Sequence, residues 1–381
     1  MSRMGLYEQL DACVVEALAE ITGREADFFR GFDCVAAKDA LHGDVSINAA
    51  LVMAKRLDVS PRGLGADLAQ VLGGVKGITS ASLAGAGFVN LRLEQDFIAA
   101  GLGKAGLLPK PRQGRLAICL DAPEDMRQRW TGEAAQAVAG ALGLEAEICA
   151  PSAASEGAEA RLLPLIGPDA AYGAATKQEW RGLLATFSDI WAASETCEEV
   201  TLFAGIGGGF RAGLYEAALG DRACLRSTAL AAADIPSLEG AQAELARLYV
   251  LCHRAERALD LTERAYAKPE RANPAFLLHY AASKLSALRG AEPVEVWDAA
   301  TRRLALLVAG YARVLELAHD LGAPQRLALY LCEVAHSLLD AGAAAQDRGE
   351  KAICPSVIDA CEVVFCSGFA IVGTKALDEI T

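Results

Sequence analysis

Chemistry needs particular side chains at particular spacings, and the middle of this chain offers two such places. Asp121, Glu124 and Asp125 follow the apolar run Arg115-Leu116-Ala117-Ile118-Cys119-Leu120, a position where open α/β sheets hold ligands. Carboxylates there suit proton transfer or a cation, but no nucleophile–base pair or metal-ligand spacing accompanies them. Farther on, the strand-like Val200–Ala204 runs into Gly205-Ile206-Gly207-Gly208-Gly209. Such a loop can cradle phosphate, yet it lacks the Rossmann spacing and a following Lys-Ser/Thr, so a plain connector fits it as well. The eleven cysteines include no CxxC pair, and Cys354, Cys361 and Cys366 read as small buried thiols before they read as a zinc site.

Taken by type alone, Phe88 is a core residue and Asn90 a turn residue. Tyr280 and Lys284 are spaced i,i+4 on one helix face, with Ala287 on the same stripe.

A net charge of −13 argues against general affinity for nucleic acid. The sum is uneven. Residues 110–240 carry 18 acids against 11 bases. Within 247–289 the sign reverses, with Arg247, Arg254, Arg257, Arg264, Lys268, Arg271, Lys284 and Arg289 facing Glu256, Asp260, Glu263 and Glu270. A local basic stretch on an acidic chain fits a specific RNA contact, or a solvated helix face.

These residues need elements to position them, and three domains are expected. Residues 1–109 read as α+β: an amphipathic opening helix, a helical stretch VSINAALVMAKRL, a third helix capped by Ser60-Pro61, and strands in ITSASLAGAGFVNLRL. Residues 110–239 read as reduced, Rossmann-like α/β, with strands at Arg115–Leu120, from Ala146 and at Val200–Ala204. Residues 240–381 read as an all-α bundle, with a helix across AQAELARLYVLCHRAERALDLTERAYA. A second helix is capped by Asn273-Pro274 and closed by Gly290, and others span 293–319, 323–346 and 355–374. No uninterrupted apolar run reaches the roughly 18 residues of a membrane span, and the acidic opening helix is no signal peptide. A soluble, cytoplasmic protein is expected.

Three sets of motifs resemble the arginyl-tRNA synthetases. Gly43-Asp44-Val45-Ser46-Ile47-Asn48, Ala54-Lys55-Arg56-Leu57, Pro61-Arg62 and Gly85-Ala86-Gly87-Phe88-Val89-Asn90 are similar to the family's N-terminal additional domain. That resemblance implies that Phe88 and Asn90 contact a base in the tRNA D-loop. Asn273-Pro274-Ala275-Phe276-Leu277-Leu278-His279-Tyr280 and Pro324-Gln325-Arg326-Leu327-Ala328-Leu329-Tyr330-Leu331 resemble motifs of its anticodon-binding, DALR-type helical domain. The likeness implies an RNA-facing surface including Asn273, Phe276, Tyr280, Lys284, Ala287, Arg289, Arg326 and Tyr330. Leu277 and His279 depart from the family's Tyr and Gln, and Lys284 from its Arg. Thr131-Gly132-Glu133-Ala134 through Gly143 resembles the helix after the catalytic HxGH motif. Counting back from Gly132 places Ala122-Pro123-Glu124-Asp125 where that motif belongs. No histidine lies between His42 and His253, and no lysine between Lys177 and Lys268, so HxGH and the KMSKS loop are both missing.

The implied protein is a non-catalytic relative that binds tRNA, an arginine acceptor above all, as a recognition, carrier or accessory subunit. It needs no cofactor or metal, and no DNA or membrane. A protein partner is compatible with this. The alternatives are a regulatory or scaffold protein using the fold for protein contacts, and an enzyme with a new site in the middle.

Overall fold

The structure, a computed structural model, describes residues 4–37, 40–149, 157–166, 177–205, 208–236, 238–289, 296–348 and 353–374. Asp169, Ile206, Gly207 and Gly290 lie outside the described residues. The chain forms two compact units. One is Met1–Leu108, Lys284–Ala312 and Val334–Val364, and the other is Pro109–Ser283, Arg313–Glu333 and Phe365–Thr381.

The first unit begins with α1 (Leu6–Thr22), which buries Leu6, Leu10, Val14 and Leu18 at three- and four-residue steps. There follow β1 (Cys34–Ala36), β2 (Val45–Ile47), α2 (Ala49–Leu57), α3 (Pro61–Leu72), β3 (Ile78–Ala84), β4 (Phe88–Leu93), α4 (Gln95–Gly101) and α5 (Lys104–Leu107). The strands form one antiparallel sheet in the order β1-β2-β4-β3. The sequence pattern expects helix from Val45, but Val45–Ile47 is strand. Val45 and Ile47 alternate with Ser46 and bury their side chains, and β4 supplies the ladder, so helix starts only at Ala49. Asp44 anchors this corner. Its carboxylate accepts Leu93 N at 2.7 Å and takes the Arg302 guanidinium in a fork at 2.6 and 2.7 Å.

In the second unit β5 (Arg115–Leu120), α6 (Met126–Ala141), β6 (Glu145–Ile148), α7 (Ala158–Ile166), α8 (Lys177–Ala193), β7 (Glu199–Gly205), α9 (Gly208–Leu219) and β8 (Cys224–Leu230) alternate. Their strands form a parallel sheet ordered β6-β5-β7-β8. The order reverses between β5 and β7, beside Asp121, whose N–H donates to Phe203 O at 2.9 Å.

Beyond it come β9 (Ala233–Asp234), α10 (Gly240–Leu251), β10 (Leu259–Asp260), α11 (Glu263–Ala267) and α12 (Pro274–Leu288). The long helix expected across 241–267 is broken. Arg127, 2% exposed, donates to the carbonyls of Arg254, Arg257 and Ala231, removing acceptors that a helix would use. Leu259 then pairs with Ala233 in a two-strand ladder. The last helices are α13 (Ala299–Val308), α14 (Tyr311–Asp320), α15 (Gln325–Asp347) and α16 (Pro355–Val372). By length and composition α15 and α16 are apolar enough to cross a membrane, which revises the expectation that no segment is. In each, 56% of the window is buried within the protein, as in core helices.

Candidate nucleic-acid interface

The β3–β4 hairpin turns at Gly85-Ala86-Gly87, where Gly85 has φ 57° and Gly87 φ 149°. A Cβ on Gly87 would lie 3.0 Å from Pro61 O. The tip therefore seats directly on the start of α3, and Arg62 Nη1 clasps it by donating to Gly85 O at 3.2 Å. Along β4 the even positions share one face. Val89, Leu91 and Leu93 are buried, whereas Phe88 is 43% exposed and Arg92 is exposed. The register places Val35, Ser46, Asn90 and Ser82 in one row across the sheet, with Ala84 opposite Phe88 and Ser80 opposite Arg92.

Asn90 sits at the centre of this row, 9% exposed. Among the described residues no group hydrogen-bonds its amide. Its polar atoms still touch solvent, so its donors and acceptors are available to a ligand. An exposed ring, an unspent amide, flanking hydroxyls and a guanidinium can stack a base and read its edge. Sequence reasoning singled out Phe88 and Asn90. It missed Arg92, which period-2 alternation about Asn90 would have indicated, and Ser80 and Ser82, which the β3–β4 register brings opposite.

In the second unit Asn273 is a cap. Its Nδ2 donates to Tyr266 O and Lys268 O at 2.8 and 2.9 Å, and its Oδ1 accepts Ala275 N at 3.1 Å. Phe276 and Tyr280 stack at 5.6 Å, and the Arg271 guanidinium lies 5.4 Å from the Tyr280 centroid. A separate cleft of roughly 860 Å³ is lined by Tyr249, Thr262, Glu263, Lys268, Glu270 and Asn273, among others, and not by either ring. Lys268 is paired with Glu270 at 2.6 Å. Leu277 and His279, which depart from the motif, are both 2% exposed. His279 stacks on Phe369 at 5.4 Å, and burial pushes its pKa down, so it is a neutral core residue. These departures therefore alter the interior and leave the outer face of α12 unchanged.

The remaining named residues are dispersed. Lys284 is half-buried and Ala287 exposed on α12. Arg289 is held by Asp359 and Glu362 at 2.5 and 2.7 Å, which spends its charge. Arg326 is exposed on α15, and Tyr330 is buried.

At the end of β5, Asp125 caps α6 by accepting Gln128 N at 3.0 Å, and Gln128 Oε1 accepts Ala122 N at 2.9 Å. Asp121 accepts Thr186 Oγ1 at 3.4 Å. Two of the three carboxylates thus serve local structure. Among the described residues no His, Cys, Asp and Glu cluster could hold a metal.

Residues 8–93, which contain the sheet with Phe88 and Asn90, match the family described as "Arginyl tRNA synthetase N terminal domain". That segment is similar in sequence to the family's N-terminal domain. Curated arginine–tRNA ligases are among its relatives. One from Ruegeria sp. (strain TM1040) is 39% identical over 106 residues, 27% of this chain and 18% of that protein. Another, from Chelativorans sp. (strain BNC1), is 46% identical over 71 residues, 19% and 12% respectively. The chain thus matches under a fifth of the length of these relatives. The fold of the arginyl-tRNA synthetases extends farther. The Thermus thermophilus arginyl-tRNA synthetase superimposes with a TM-score of 0.71 at 13% identity, covering 98% of this chain and 100% of that one. The Plasmodium falciparum enzyme superimposes at 0.65 and 8% identity, covering 100% of both. The α+β start, parallel-sheet middle and helical end expected from the sequence are the architecture of that family.

Proposed function

We propose that this arginyl-tRNA synthetase-like chain binds tRNA, an arginine acceptor in particular, without aminoacylating it, and works in the cytoplasm as a recognition, carrier or accessory subunit. The observation that carries the reading is the unpaired, nearly buried Asn90 amide beside the exposed Phe88 ring. That amide spends no hydrogen bond on the described residues, and one base offers both the edge and the face that this pair matches. The Phe276–Tyr280 stack with Arg271 over the Tyr280 ring supports a second RNA contact in the second unit.

Loss of catalysis rests on the residues between β5 and α6. Ala122-Pro123-Glu124-Asp125 places a methyl group and a carboxylate where the family's two histidines are expected. Carboxylates there would repel a triphosphate, whereas catalysis needs donors aimed at its developing charge. Protein contact without RNA is the second reading, favoured by the −13 net charge and by the neutralised Arg289.

The test is a filter-binding titration of the purified chain against total tRNA, with sequencing of what is retained and an arginine-charging assay alongside. Retention of one acceptor family, lost in Asn90→Ala and unaccompanied by charging, is expected. No retention at low salt would sink RNA binding and favour the protein-contact reading, and measurable charging would overturn the non-catalytic assignment.

A further inference from the structure

A group outside both of these surfaces stands out in the second unit. The Arg161 guanidinium lies 4.4 Å from the centroid of the Trp191 ring, and that of Arg222 lies 4.3 Å from it. Whatever the faces involved, the two charges are then within about 9 Å of each other. Like charges held so close repel, and each is retained by attraction to the same ring. The surroundings are built for this. Gly157, at φ 96°, leaves room that a Cβ would fill 3.0 Å from Arg161 Nη1. Ser194 Oγ accepts Arg222 Nε at 3.4 Å.

The other buried or half-buried arginines of this unit are spent. Arg127 serves carbonyls, and Arg226 and Arg247 pair with Glu199 and Glu133 at 2.9 and 2.5 Å. Arg161 and Arg222 are exposed. Among the described residues Arg161 has no carboxylate partner, and Arg222 has only Glu195, loosely, at 3.7 Å. The contrast matters because this segment carries 18 acids to 11 bases. Two cations on one ring without matched acids there are a local positive site, and the planar forks of arginine match phosphate oxygens.

We propose that Arg161, Trp191 and Arg222 form a phosphodiester-binding cluster, a sequence-independent RNA backbone contact additional to the base-reading sheet face. The inference rests on the tRNA-binding reading above. Phosphate contacts position an RNA and carry no sequence information, so this cluster contributes affinity while Phe88 and Asn90 select.

The test measures tRNA affinity of the full chain over a range of salt concentrations, in wild type, Arg161→Gln/Arg222→Gln and Glu195→Gln. Each phosphate contact contributes about 0.7–0.9 to the slope of log K against log salt. The double variant should flatten that slope by roughly 1 to 2 units and weaken all retained tRNAs alike, leaving their ranking unchanged. Glu195→Gln removes the one acid paired with Arg222 among the described residues and should tighten binding severalfold, a gain that misfolding does not produce. A wild type that binds tRNA while the double variant keeps its slope and Glu195→Gln its affinity overturns the cluster alone. A wild type that binds no tRNA fails the underlying reading and the cluster with it.

Discussion

Asn90 and Phe88 sit two residues apart on one strand, yet their environments make opposite demands. Phe88 is 43% exposed and contributes little to the core, so Phe88→Ala should change unfolding free energy by no more than about 0.5 kcal/mol. Base–aromatic stacking is worth about 1–3 kcal/mol by alanine substitution, so tRNA affinity should fall roughly 5- to 150-fold. Urea unfolding and filter binding on the same preparation separate the two effects; a fall in stability matching the fall in affinity would return Phe88 to the core. Asp44 is the converse case. It is 5% exposed and satisfies both Arg302 and Leu93 N. Asp44→Ala strands a half-buried guanidinium and should cost on the order of 3 kcal/mol, read by denaturant melts. The Gly43-Asp44 motif is thus legible as a family mark, but its physical work, a tie to a helix more than 250 residues along the chain, was not.

At the scale of elements, the β3–β4 hairpin works because its tip has no side chain at Gly87. Gly87→Ala forces a residue with φ 149° to place its Cβ 3.0 Å from Pro61 O. Such changes destabilise by more than about 1 kcal/mol. They should also lift the tip from α3 and lower tRNA affinity, although the substituted residue touches no base. Unaltered binding in a destabilised Gly87→Ala would show that the hairpin's seat does not position Phe88. How well elements could be read from sequence follows the range of the forces that make them. β5 is bounded by a local signal, an apolar run after Gly114, and its expected limits Arg115–Leu120 coincide with the strand. The break after α10 depends on Arg127 reaching carbonyls more than 100 residues away, so the apolar spacing at Leu259 and Leu261 was read as helix. β2 was hidden because three residues are too few to show a period. The site divides in the same way. Phe88 and Asn90 were legible in a compact motif, whereas Arg161 and Arg222 reach Trp191 from separate places in the chain and leave no pattern in it.

For the whole molecule, acid should act through a network at the start of β7. Glu199 takes Arg226 Nη1 at 2.9 Å, a bond that holds its carboxyl below the usual carboxylate range. His319 Nε2 lies 2.9 Å from the same carboxylate, and burial pushes its pKa below the ordinary histidine value. Both groups bind protons more readily when unfolded, so stability is greatest at neutral pH and falls with acid. Loss should begin as pH drops below about 6.5, the unfolded histidine range, and steepen near 4, where free glutamate titrates. Trp130, Trp180 and Trp191 report on this unit, and Glu199→Gln should flatten the lower limb of their pH-dependent unfolding. Charge sets a second expectation at this scale. At −13 the chain repels polyanions at long range, so binding must come from a few shaped contacts. A-form geometry, 2′-hydroxyls and splayed loop bases are what such contacts recognise, and duplex DNA offers none of them. Competing labelled tRNA with duplex DNA of equal phosphate content at moderate salt should therefore displace little. Equal displacement by DNA would mean that the arginines act as a general polyanion surface, and Asn90→Ala would then leave binding unchanged.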